Sequence, residues 1–241
     1  AEAAKLSDFR TFLEMVGKGQ WSDWFNVCSA PENIGIHRPF YPARPGRARR
    51  IHLLDALGLS SWQDLLRLCE RASADRAEAA SLFWTMGGNQ VGKAAIAGWR
   101  EIIIPNLAHI ALWPFDGDLA HLVHANDIIV AETYPGDVYA RLGFPGRGWS
   151  KRRQNDRMML GLRINDWLGK RTELDAQAVH NTIGAGFGAD RTGEDRFDAL
   201  IGLLGMLDVV NGRQDEGLPA LADCRTWEGW ILGHVRTAAT D

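Results

Sequence analysis

The chain has 241 residues, 46% of them hydrophobic and 24% charged, and a net charge of −3. That balance excludes a disordered polyelectrolyte and predicts a single domain over residues 1–241, while leaving any nucleic-acid role to local basic clusters. No apolar run approaches the roughly 18 residues of a membrane span, so no membrane partner is expected; three widely separated cysteines, Cys28, Cys69 and Cys224, argue against a disulfide framework and for a cytoplasmic location.

The opening AEAAKLSDFRTFLEMVG sets Leu6, Phe9, Leu13 and Val16 on one helical face. It lacks an initiator Met; a secreted protein matured by cleavage after a small-residue site is one account, and an N-terminal part of the domain outside the chain is the preferred one. Residues 30–50 form a loop rich in proline and arginine, with Pro39, Pro42 and Pro45 imposing an extended course. From Asn33 to Leu54 there is no acidic residue, while Arg38, Arg44, Arg47, Arg49 and Arg50 are joined by His37 and His52 and interleaved with Phe40 and Tyr41. Arginines neutralise phosphates and aromatic faces stack on unpaired bases, so the segment is a candidate nucleic-acid surface, with Arg47, Arg49 and Arg50 at its centre. A solvated basic loop, or a proline-rich ligand for a protein partner, gives the same pattern.

Ser61 to Asp64 has capping-box spacing and predicts a helix to about Arg71, and DRAEAASLFWTM predicts another. The run Gly87-Gly88-Asn89-Gln90-Val91-Gly92-Lys93-Ala94 then comes within one residue of a phosphate-binding P-loop. Ala94 stands where a Ser or Thr hydroxyl would hold Mg²⁺, so the better reading is a glycine turn before a helix spanning roughly Gly92 to Ile103. HIALWPFDG and NDIIVAETYPG read as buried strands ended by Pro or Gly. Helical spacing follows from Lys151 to Leu168, with Met158, Leu162 and Trp167 directed at the core, and again in TELDAQAVHNTIG and EDRFDALIGLLGMLDVVNGR. Helices interleaved with buried strands predict an α/β fold.

Two acids stand out. Glu132 closes the apolar run Ile128-Ile129-Val130-Ala131, and the C-terminal ends of strands are where open α/β sheets place ligands; a rim carboxylate paired with a nearby arginine gives the same pattern. Asp198 lies one turn into the last long helix, on a face continued by Gly202 and Gly205; it needs a cation or a hydrogen-bonding partner if that face is buried. Glu194 and Asp195 suit the first helical turn through the helix dipole. A second basic group, Arg147, Lys151, Arg152, Arg153 and Arg157, offers phosphate contacts through Lys151 and Arg153, or simply a soluble helix start. Gly184-Ala185-Gly186-Phe187-Gly188-Ala189 spells a dinucleotide fingerprint but lacks the preceding strand.

Taken together, IALWPFDG, IIVAETYPGDVYARLG, EDRFDALIGLLGML and TWEGWILG resemble an uncharacterised bacterial family of predicted nucleases with a ribonuclease-H-like fold, over about Trp84 to Gly233. The resemblance implies a mixed sheet flanked by helices, with its first strands outside the chain. It implies a metal-dependent, nuclease-like hydrolase acting on a phosphodiester, in which Glu132, Asp198 and Asp195 bind Mg²⁺ or Mn²⁺. The alternative is a non-catalytic nucleic-acid or protein binding module on the same fold.

Overall fold

The computed structural model describes residues 6–72, 77–86 and 91–235, which form two compact units. One runs to Glu132 and includes Leu218–Trp230; the other comprises Thr133–Gly217 with Ile231–Val235.

In the first unit, helix α1 (Phe9–Gly17) is capped by Asp8, whose side chain accepts from the Thr11 amide, and it buries Phe12 and Leu13. These join Leu107, Ile110 and Leu112 in one core cluster. Helix α2 (Ile51–Leu57) contributes Leu53 to a second cluster with Cys28, Tyr41 and Leu65. Helix α3 (Val91–Gly98) passes through a π-helical turn, Trp99–Ile103, into the short α4 (Ile104–Asn106). Strand β1 (Ala111–Leu112), helix α5 (Leu119–Ala125) and strand β2 (Ile129–Val130) complete a small parallel unit.

The second unit builds its core from α6 (Pro135–Val138), α7 (Gln154–Gly169), α8 (Gln177–Gly184) and α9 (Gly193–Val210). Leu160 and Ile164 of α7, Ile183 of α8 and Phe197, Ile201 and Leu204 of α9 meet there with Val138.

The expected mixed sheet of a ribonuclease-H-like fold is not what forms. The chain is 46% helix and 5% strand, and the sheet among the described residues is two parallel strands of two residues each. Its ladder includes the Ala111 amide donating to Ile128 O and the Trp113 amide donating to Val130 O, both at 3.0 Å. Alternate residues, Ala111 and Trp113, supply these donors; from Trp113 the chain turns, with the Asp116 amide donating back to Leu112 O at 2.9 Å, and the strand ends there.

Two further expectations change locally. The helix expected after Ser61 is two 3₁₀ turns, Trp62–Leu65 and Leu68–Glu70; the Ser61–Asp64 capping box is present, but Leu66 and Arg67 are extended. Residues 77–86 are not helical, because their backbone serves a distant partner: the Tyr41 amide donates to Phe83 O and the Thr85 amide to Tyr41 O, each at 2.9 Å. Residues 87–90 of the P-loop-like run, Gly87 and Gly88 among them, lie outside the described residues; Gly92 is buried and Lys93 exposed on α3.

Candidate nucleic-acid interface

The arginine-rich segment is anchored at both ends and open in the middle. Before it, the Cys28 amide donates to Phe40 O and the Ala43 amide to Cys28 O, both at 2.7 Å, while Thr85 Oγ1 donates to Pro42 O at 2.6 Å. Phe40 and Tyr41 are 0% and 2% exposed, so they are core anchors and not the stacking faces their setting among arginines suggests. After it, the Tyr41 hydroxyl meets His52 Nδ1 at 2.8 Å, tying the start of α2 to that core.

Between the anchors, Arg44, Arg47, Arg49 and Arg50 are all exposed. None of them forms an ion pair with a carboxylate among the described residues. Arg49 Nε reaches only His52 Nε2, at 3.4 Å, and the Arg50 guanidinium lies over the Trp62 indole, 4.3 Å from its centroid. Arg38 is half-buried and donates to Asn26 O. Elsewhere the cations are mostly paired, as Arg10 is with Asp116, Lys170 with Asp166 and Arg196 with Asp190. An unpaired arginine keeps its donors for a ligand, and four exposed arginines within seven residues concentrate positive charge on this segment.

The two acids singled out from the sequence are each held by a cation. Glu132 lies just beyond β2, and its two carboxylate oxygens accept from Arg67 Nη1 and Nη2 at 2.7 Å each. Arg67 also donates through Nε to the buried Glu70, at 2.8 Å, and through Nη1 to Glu228 O. Burial works against the Arg67 charge, but Glu132 and then Glu70 more than offset it and hold the guanidinium well above its ordinary pKa. Burial pushes the Glu70 carboxyl above its ordinary value; it pushes the Cys69 thiol up to about 12. Arg67 is the hub that sequence reading missed; the Arg67-x-x-Glu70 spacing is its one local signal.

Asp198, in the other unit, accepts from Lys151 Nζ at 2.5 Å and from the Tyr139 hydroxyl at 3.2 Å, and Glu194 lies 3.3 Å from the same ammonium. Burial alone would lower the Lys151 pKa; the hydrogen bond and charge of Asp198, with Glu194, raise it above the ordinary lysine value. Burial, reinforced by Asp198, also raises Tyr139. Gly202 and Gly205, read as a face for a sheet, instead admit Thr133 and, from α6, Val138. Asp195 is exposed in the first turn of α9, Arg153 pairs with Asp156 while its side chain stays 62% exposed, and Lys151 is held between its two acids.

A divalent cation needs several oxygens converging on one point. Among the described residues no group of three or more His, Cys, Asp or Glu side chains is placed to hold one, both Glu132 oxygens are bound in the Arg67 fork, and Asp198 is closed by Lys151. The residues in this arrangement do not fit Mg²⁺ or Mn²⁺. The glycine pattern 184–189 is the turn that ends α8; Gly186 O and Gly188 O accept from the buried Arg157, at 2.8 and 2.6 Å.

No family model, no curated protein and no solved structure matches the chain. The resemblance to the predicted nuclease family therefore rests on the quoted motifs alone. No helix among the described residues is long and apolar enough to cross a membrane.

Proposed function

We propose that the protein binds nucleic acid through the phosphate backbone, using the segment from Arg44 to Arg50. The observation that carries this reading is the set of four exposed arginines without a carboxylate partner among the described residues, held between the Phe40–Pro42 anchor and α2. Its support is physical: guanidinium groups left unpaired on a fixed backbone bind phosphates at little cost in ordering. Phosphodiester hydrolysis by a metal at Glu132 and Asp198 lacks comparable support, because each acid already neutralises a cation of its own.

Titrating a fluorescent oligonucleotide by anisotropy over a range of salt concentrations tests the reading. Each contacted phosphate adds about −0.7 to the log–log slope for a single strand. Replacing Arg47, Arg49 and Arg50 together by Ala should flatten that slope by about 2. Isotherms of the triple variant and parent that coincide at every salt concentration would reduce the segment to a solvated loop.

A further inference from the structure

The acid-free run from Asn33 to Leu54 carries, near its two ends, flat polar groups laid on tryptophans. Near the start, exposed His37 stacks on Trp21, with ring centroids 4.2 Å apart and planes at 35°. Near the end, exposed Arg50 lies over Trp62 at 4.3 Å. Neither tryptophan stands alone. Trp21 is held edge-on by the core residue Phe12, at 5.5 Å and 85°. Trp62 meets Trp84 edge-on at 6.2 Å, and Trp84 meets the buried Tyr41 at 6.0 Å. Each group thus lies against an indole that is itself packed on the core, and both His37 and Arg50 are exposed.

Such an arrangement does more than place charge. A guanidinium pinned by one face keeps its N–H edge for phosphate and its second face for a ring, and imidazole offers the same kind of face. Duplex ends apart, base faces are hidden inside the stack of double-stranded nucleic acid and open only in an unpaired strand. We infer that this surface selects single-stranded nucleic acid, stacking bases on the outer faces of Arg50 and His37 while Arg44, Arg47 and Arg49 hold the intervening phosphates. The inference rests on the phosphate-binding reading above and adds the class of strand that is bound.

The experiment compares one labelled oligonucleotide of mixed sequence, alone and annealed to its complement, at fixed salt. The parent is expected to prefer the single strand by about tenfold, as a base stacked on a flat side chain contributes enough for that ratio. Arg50→Lys keeps the charge and removes the plane; its single-strand affinity should fall about tenfold and its duplex affinity far less, driving the ratio toward one. Arg47→Ala, which removes a charge only, should weaken both substrates together and flatten both salt slopes. Circular dichroism confirms that each variant is folded. Equal affinity of the parent for both substrates, or an Arg50→Lys loss shared equally between them, overturns the single-strand inference and leaves phosphate binding standing. Absence of binding to either substrate by the parent overturns the phosphate-binding reading itself.

Discussion

Glu132 and Arg67 form a two-pronged ion pair, Oε2 to Nη1 and Oε1 to Nη2, at 2.7 Å on both arms. The two partners differ in exposure, with 45% of the Glu132 side chain accessible but only 22% of Arg67. They should therefore respond differently to mutation. Glu132→Gln loses a partly solvated charge and should cost about 1 kcal/mol or less. Arg67→Ala also strands Glu70, whose side chain is 4% exposed, and breaking a buried pair of that kind costs about 3–5 kcal/mol. Urea unfolding of the two variants measures the difference. Equal losses would mean that Glu70 finds another partner or takes up a proton.

The environment of Cys69 gives a pH dependence of definite sign. Its thiol is buried and raised from 9.0 to about 12. The folded state therefore holds this proton through a window in which the unfolded chain has released it. The associated stability is fully present below pH 9 and is lost as the pH rises toward 12, at roughly 1.4 kcal/mol per pH unit. Lys151 and Tyr139, also raised, contribute in the same direction at the upper end of the window. Unfolding curves at stepped alkaline pH should fall less steeply for Cys69→Ala than for the parent; parallel curves would remove Cys69 as a contributor.

Close approach explains Gly205. A Cβ built there would lie 2.6 Å from Cγ2 of Val138, which is itself buried and stiff at χ1. Gly205→Ala gains up to about 1 kcal/mol of helix propensity but must displace Val138, so a net loss of about 1–2 kcal/mol is expected. Gly98 is the control. It has helical dihedrals, and a methyl group added to it would meet nothing within 4 Å, so Gly98→Ala should stabilise by about 0.5–1 kcal/mol. Paired denaturation curves decide the matter, and a stabilised Gly205→Ala would show that α6 yields.

What was legible in the sequence was local, and what was not depended on distant partners. Helix α9 is readable end to end, because its apolar spacing is continuous and Asn211-Gly212 stops it; Gly212 has φ +68°. Helix α7 is readable as a helix but not in its orientation. Met158 and Leu162, expected in the core, are 44% and 76% exposed, whereas Asp156 and Arg157 are 8% and 2%. Arg157 is buried because it donates to the carbonyls of Lys151, Gly186 and Gly188, and a carbonyl has no sequence signature. Of the candidate site, the acid-free arginine run was visible from composition. Its stacked planes were not: Trp62 reads only as part of a capping box, and Trp21 lies outside the run. That each acid could be paired was open from the sequence, but which residue pairs with it was not legible, at separations of 65 and 47 residues.

Phe40 offers the sharpest separation between anchoring and contact. It is fully buried, edge-on to Phe83 at 5.4 Å and to Trp24 at 5.9 Å, and its carbonyl accepts from the Cys28 amide. Were it a base-stacking residue, Phe40→Ala would weaken oligonucleotide binding in a protein as stable as the parent. As a core anchor it should instead lose about 3–5 kcal/mol of stability, with binding lost only in proportion to the unfolded fraction. Phe40→Leu keeps most of the volume and should retain both the fold and the affinity, since a leucine fills the site without offering a stacking face. Thermal unfolding and binding, measured on the same two variants below their melting transitions, separate the possibilities. A stably folded Phe40→Leu with markedly weakened single-strand binding would contradict the anchoring role and move the stacking surface from Arg50 and His37 to the aromatic residues inside the segment.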